Sequence, residues 1–474
     1  MMNKHKQAQR GFALILTSIM LIILIPVIGL AIDVTLLYVD KARLQGAVDG
    51  AALAAARSLS RGNDDPTQQI NAKKAAATSV FLNYYNGSTF TNSVTVSQAT
   101  DVTIDESVAN QRTITVTAHA NIATLFMQWL HFTSTNVNAS STVTRRDVNI
   151  AMVVDRSGSL ALTGSCGAVQ QASINFVNKF ANLRDNIALV TFATSTHADF
   201  PIANNFQTAS PNVITLINNM VCEQSTSSAM ALWYGYDQLV GLNQPAALNI
   251  ILFFTDGKPT GVNVNMPIAV GSTCTSPHAG PPKYINGLYN TYTNVNQFFG
   301  LMQPTNNGTI SNGDYNLTSD GNNGNGCAFV SSVTDTSDFV GVPTTDVFGS
   351  NLNNGYQPIT MNGSYISVGD PNNAANMTIN AADDAATKIR NGATESGPLP
   401  NAGRSLAKVI IYTIGLGNAP YPLSVPALER ISNDPRSDIY STSQAEGLFV
   451  LAPTSADIDA SFATIASQIL RIAK

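Results

Sequence analysis

Two short stretches of this chain are strongly apolar: Ile150 to Val154, and Leu248 to Phe254 with Asn249 its one polar residue. A strand that is polar at every second position can leave one face in water. A strand that is apolar throughout must be covered on both faces, and the usual cover is a layer of helices on each side of a parallel sheet. The intervening chain supplies suitable helices. Helical spacing runs over 174–183, 213–220 and 229–239, with a further strand over 187–194. Strands alternating with helices indicate an α/β, doubly wound, mostly parallel sheet. A third buried strand is expected over 408–414 and a helix over 381–389. Pro426 to Ser432, a strand-like segment over 438–441 and the amphipathic run 458–472 are expected to complete the sheet and its last helix.

Both apolar runs end in a carboxylate. The first continues into Asp155-Arg-Ser157-Gly-Ser159, which places three oxygen-bearing side chains at alternate positions. In a loop leaving a strand, that spacing can turn all three towards one point. The second ends in Asp256, followed by Gly257. Between them, Thr226 sits in the polar loop 223–228, just ahead of the helical run Ala229 to Leu239. In an open parallel sheet, ligands bind at the carboxyl ends of strands, where strand order reverses. Oxygen-only donors suit a hard divalent cation such as Mg2+, with Mn2+ or Ca2+ as alternatives. Turn and cap aspartates and serines are the simpler account of any one of these residues. Three elements in this order favour the cation.

The set Asp155-x-Ser157-x-Ser159, Thr226 and Asp256 resembles the metal-ion-dependent adhesion site of von Willebrand factor type A domains. The spacing of the threonine loop to its helix is similar, although Gln224-Ser225 stands where that family often has two glycines. The resemblance covers about 147–257 and 380–474. It implies a Rossmann-like fold in which Ala198 to Ile202 is an antiparallel edge strand. It also implies binding of a partner protein's carboxylate to the exposed side of the metal. Metal-assisted hydrolysis would need a general base or nucleophile beside the cation. The five histidines are scattered, and neither a Gly-x-Ser-x-Gly elbow nor a His-Glu-x-x-His motif occurs, so the expectation is a binding protein and not an enzyme.

Charged residues make up only 12% of the 474, and the net charge of −5 carries no basic surplus, which argues against nucleic acid as a partner. The four cysteines form no Cys-x-x-Cys pair, so a zinc ribbon is not expected. They allow three disulfide pairings, among which spacing does not choose. The expected pairs are Cys166 with Cys222, both in loops near the proposed metal, and Cys274 with Cys327. Four free thiols are the alternative.

At the amino end, Lys4, Lys6 and Arg10 precede 21 uncharged residues, Phe12 to Ile32. That length crosses a hydrocarbon core as a helix, and the positive flank keeps the N-terminus cytoplasmic. A cleaved signal peptide would have a shorter apolar region. A prepilin-type cut after Gly11 would normally have glutamate where Leu16 stands. The helical pattern continues over 38–59, with alanine dense from Ala47 to Ala56. This face fits either a membrane partner or the chain's own domain. Arg10-Gly11, Gly29-Leu-Ala-Ile-Asp33 and Leu44-Gln45-x-x-x-Asp49-x-Ala-Ala-Leu53 resemble the N-terminal module of TadG-like proteins of Flp (tight adherence) pilus systems.

The expected organisation is therefore threefold. Residues 1–60 form a cytoplasmic tip, a transmembrane helix and its extension. Residues 61–146 form a small α+β membrane-proximal module, with a helix over 71–85, strands over 94–97, 102–104, 112–119 and 137–144, and a short helix over 123–130. Residues 147–474 form the type A domain, carrying an Asn/Gly-rich insertion over 258–379. Asp314, Asp320, Asp335 and Asp338 in that insertion could form a second, calcium-type site, though turn aspartates account for them more simply. The expected function is a single-pass protein of the inner (cell) membrane, with its bulk periplasmic or extracellular. It would serve a Flp pilus and bind proteins of the pilus or secretion machinery. A secreted or surface adhesin with the same metal site is the alternative.

Overall fold

The computed structural model describes residues 4–59, 65–85, 91–108, 110–193, 196–222, 226–271, 284–291, 298–304, 315–316, 340–367, 370–417 and 423–472. The chain divides into two compact units, Met1–Arg145 and Arg146–Ala473.

In the first unit, α1 (Lys4–Ser58) is one unbroken helix of 55 residues, with Pro26 inside it. Its apolar side chains from Leu14 to Ile32 are exposed, and it is long and apolar enough to cross a membrane. Its second half buries Leu44, Val48, Ala51 and Ala55 against Ala72, Ala76 and Val80 of α2 (Asp65–Tyr85). Of the two readings of the alanine-dense face, the chain's own unit is therefore what covers it.

An antiparallel sheet completes this core. Its strands are β1 (Thr91–Thr95), β2 (Val102–Asp105), β3 (Gln111–Ala123) and β4 (Ser134–Arg146), and β3 pairs with the other three. Along β3 the period of two is strict: Ile114, Val116, Ala118, Ala120 and Ile122 are buried. On its other face Thr115, Thr117, His119 and Asn121 bond to Thr142, Ser140, Asn138 and Asn136 of β4. The helix expected over 123–130 shrinks to a 3-10 turn at Met127–Leu130, because β3 pairing carries the extended chain through Ala123.

The second unit runs β5 (Val148–Asp155), α3 (Gly158–Leu162), α4 (Cys166–Val177), β6 (Asn186–Phe192), β7 (Thr196–Ala203), α5 (Val213–Asn218), α6 (Ser228–Leu242) and β8 (Leu248–Thr255). A second sheet follows, β9 (Gly261–Pro267), β10 (Tyr284–Thr291), β11 (Phe298–Pro304) and β12 (Tyr315–Asn316), joined antiparallel. A small hairpin, β13 (Met361–Asn362) and β14 (Tyr365–Ile366), leads into α7 (Pro371–Arg390), β15 (Ile410–Leu416), α8 (Val425–Ser432), β16 (Leu448–Ala452) and α9 (Ile458–Ile472).

The main sheet has the order β16-β15-β8-β5-β6-β7, parallel except for the edge strand β7. Alternate residues of β5 serve the two faces. Ile150, Met152 and Val154 join a core with Phe176 of α4 and Phe462 of α9. Ala151 and Val153 join one with Trp233 of α6 and Ala382 of α7. This is why the strand carries no polar position between them.

Three sequence expectations shift. The helix placed over 174–183 is α4, which begins at Cys166 and ends at Val177. The last strand is β16, not 438–441. In that segment Asp438 is held by Arg430, and the Ser441 N–H bonds to Asn433, which makes it a turn. Helix α7 starts ten residues before the expected helix, at Pro371, with Asp370 capping it through the Asn372 N–H. Cys274, Cys327, Asp314, Asp320, Asp335 and Asp338 lie outside the described residues.

Candidate metal centre

Strands β5 and β8 are hydrogen-bonded neighbours, with Val154 opposite Phe254, so Asp155 and Asp256 leave the sheet side by side. The chain steps from β5 to β6 on one side, and β8 lies on the other. This is the point at which strand order reverses. Asp155 is buried. Its Oδ1 accepts the Ser157 N–H at 2.7 Å and its Oδ2 accepts the Thr255 hydroxyl at 2.6 Å. Asp256 is buried as well. Its Oδ1 accepts the Ser159 hydroxyl at 2.7 Å and the Ser157 hydroxyl at 3.4 Å, and the two hydroxyls lie 3.0 Å apart. Ser157 precedes α3 as its N-cap but makes no side-chain cap bond, so its hydroxyl is left to face Asp256.

Thr226 is buried and fixed by its main chain. Its N–H donates to the Thr260 hydroxyl at 2.8 Å, and its carbonyl accepts the Thr260 N–H at 2.7 Å. The next residue, Ser227, donates its N–H to the Ala193 carbonyl just beyond β6, at 2.9 Å. The threonine loop is thus tied to the chain following β6 and to the chain following β8. Four of the sequence-derived ligands, Asp155, Ser157, Ser159 and Asp256, share one hydrogen-bonded cluster. The Thr226 hydroxyl makes no bond to these four among the described residues. A disulfide joins Cys166, at the start of α4, to Cys222, four residues before Thr226.

The family model of the von Willebrand factor type A domain matches residues 149–271. The chain carries a von Willebrand factor type A domain. Residues 11–58 match the Flp pilus-assembly TadE/G-like family. No curated protein matches the chain. Solved structures similar to it include the pilus adhesin SpaC from Lactobacillus rhamnosus GG, 13% identical with a TM-score of 0.37, over 80% of this chain and 35% of that one. The chain therefore spans about a third of the length of SpaC. The PilB minor pilin from Streptococcus sanguinis is 13% identical with a TM-score of 0.37, over 80% and 79% of the two chains. The von Willebrand factor domain of the type V pili tip protein Mfa5 from Porphyromonas gingivalis is 15% identical with a TM-score of 0.36, over 70% and 97%.

The type A domain's carboxyl-terminal face is electrostatically strained. Burial, and then the charge of Asp256, push the Asp155 carboxyl well above the ordinary carboxylate range, and the bonds from Thr255 and Ser157 oppose them. Burial likewise raises Asp256 against the bonds from Ser159 and Ser157. Asp256 Oδ2 is buried with no hydrogen-bond partner. Two adjacent buried carboxylates and one unpaired carboxylate oxygen fit a cation, which would relieve both costs. No three His, Cys, Asp or Glu side chains gather among the described residues, so those side chains alone do not make up a ligand set here.

Two residues that position the site were missed from sequence. Thr255 holds Asp155, and Thr260 holds the main chain of Thr226. The position of Thr255, immediately before Asp256 at the strand end, was the available signal. Thr260 had none.

Proposed function

We propose that the type A domain binds a divalent cation, Mg2+ or else Mn2+ or Ca2+, through Asp155, Ser157, Ser159, Thr226 and Asp256. On this reading the cation takes a carboxylate of a partner protein of the pilus or secretion machinery. The supporting observation is Asp256 Oδ2, buried and unpartnered beside two serine hydroxyls and a second buried carboxylate. A bound cation would supply positive charge to that oxygen and coordination positions for the incoming carboxylate. The protein's share is to hold the ligands: Thr255 and the Ser157 N–H orient Asp155, and the serine hydroxyls orient on Asp256.

We read the site as one of binding and not catalysis. The hydrogen-bond partners of Asp155 and Asp256 among the described residues are serine and threonine groups, none of them a general base. Helix α1 is read as a single membrane span in the inner (cell) membrane, with its N-terminus cytoplasmic and the type A domain periplasmic or extracellular. That α1 runs unbroken past Ala31 into a buried packing face favours a retained anchor over a cleaved signal. Together with the TadE/G-like segment, this supports reading the chain as a membrane-held component of a Flp-type pilus system.

The test is a crosslinked pull-down from membranes with the parent chain and Asp155→Ala, each with and without EDTA. A partner captured only by the parent, and only without EDTA, is expected. Equal capture in all four arms would refute the metal's role.

A further inference from the structure

The ten residues joining β3 to β4 carry an unusual load of exposed apolar side chains: Leu125, Phe126, Trp129, Leu130 and Phe132, with Trp129 84% exposed. Clustered exposure of this kind marks a surface that meets something apolar. The loop is built, not loose. Its base is closed by the Thr124 N–H on the Thr133 carbonyl at 3.2 Å and by the Thr124 hydroxyl on the Phe132 carbonyl. Its tip is the 3-10 turn, closed by the His131 N–H on Gln128 at 3.0 Å and the Phe132 N–H on Met127 at 3.1 Å.

The whole loop is pinned to α1 at one point. The Asp33 carboxylate accepts the N–H groups of Leu125 at 2.9 Å, Phe126 at 2.9 Å and Met127 at 2.6 Å. One turn earlier, Gly29 makes room for the Phe126 ring, which a Cβ there would meet at 2.6 Å. Asp33 is 1% exposed, so its charge is covered by this turn.

Asp33 is also the first charged residue after the apolar stretch Phe12 to Ile32. At about 1.5 Å per residue that stretch is roughly 31 Å long, close to the roughly 30 Å of a bilayer's hydrocarbon core. The pin therefore sits at the hydrocarbon edge, and the aromatic turn must share its depth. The exposed apolar surface of α1 continues through Val34, Tyr38 and Val39 before Lys41 and Arg43. Tryptophan and tyrosine are enriched at this level of membrane proteins.

We propose that the turn Leu125–Phe132 lies in the lipid interface, its aromatic side chains among headgroups and upper acyl chains. It sets the depth of α1 and lets the Asp33 carboxylate sit at the edge of the hydrocarbon with its oxygens satisfied by three N–H donors. The occupant of this surface is lipid, because the surface is continuous with the apolar face of α1. The inference rests on the reading of α1 as a membrane span, and the experiment separates the two.

The full chain is reconstituted into vesicles of phosphatidylcholine and phosphatidylglycerol. Flotation after a carbonate wash reads the insertion of α1. The emission of Trp129 is taken as the difference between the parent and Trp129→Phe, and is challenged with lipids brominated near the headgroup and with aqueous acrylamide. Bromolipid is expected to remove most of the Trp129 emission and acrylamide little of it. Asp33→Ala, which unpins the turn, is expected to reverse that order while the vesicles still float. Floating vesicles in which parent Trp129 responds to acrylamide and not to bromolipid would overturn the proposal and leave the surface to a protein. Failure to float would overturn both this and the membrane span. The parent measurement decides the matter even where Asp33→Ala does not fold.

Discussion

A buried carboxylate without a hydrogen-bond donor must be met by a cation or keep its proton. Two buried carboxyls of the second unit face this choice. Asp256 has hydroxyl donors on one oxygen and sits beside Asp155, the arrangement read above as a cation site. Glu395 is buried, no N–H or hydroxyl donor meets either of its oxygens, and its carboxyl faces that of Asp237. Burial, and then Asp237 beside it, push its carboxyl up to about 8. It therefore keeps its proton in the folded chain, whereas an unfolded glutamate titrates near about 4.3. A carboxyl raised on folding contributes stability that is fully present below the unfolded value and is lost as pH rises through the folded one. Denaturant midpoints measured in chelator should fall as pH rises from 5 to 9. Glu395→Gln should flatten that fall, and an unchanged slope in the variant would contradict the assignment.

At the scale of elements, α6 carries the threonine loop at its start and is seated on the sheet by Gly235. A Cβ there would lie 2.7 Å from Val153 Cγ2 on β5 and 3.7 Å from Ala151 Cβ. Gly235→Ala gains up to about 1 kcal/mol of helix propensity but overpacks the core, at about 1–3 kcal/mol. The net expectation is a loss of up to about 2 kcal/mol in chemical denaturation, together with weaker cation binding as the Thr226 loop is displaced. What sequence could read here follows from periodicity. The central strands and α6 were legible because their apolar positions are forced by cover on both faces. Asp155, Ser157, Ser159 and Asp256 were legible because each lies at or just after the end of an apolar strand. β16 was not: Leu448–Ala452 is apolar at all five positions, and a run that short shows no periodicity to separate a strand from a buried turn of helix. The extent of α7 was hidden by its polar composition, Asn and Asp at positions that pack through hydrogen bonds, such as Asn380 with Leu352 and Gln357. Gly415 is a packing glycine: a Cβ would lie 2.3 Å from the Leu423 side chain.

Across the whole molecule, two units carry separate cores, and each contains one of the two tryptophans, Trp129 in the first and Trp233 in the second. The Cys166–Cys222 disulfide, across a sequence separation of 56, belongs to the second alone. By loop-closure entropy it contributes about 4 kcal/mol. Replacing both cysteines by alanine in a Trp129→Phe background should move the Trp233 unfolding transition by up to that amount and weaken cation binding, since Cys222 anchors the approach to Thr226. The account's central claim is that Asp155, Ser157, Ser159, Thr226 and Asp256 form one cation site. Calorimetric titration of Mn2+ into the chelator-stripped, detergent-solubilised full chain tests this most directly. One saturable binding event in the parent that is lost in Asp256→Ala is the predicted result. No binding heat in the parent, or the same heat in both chains, would contradict it.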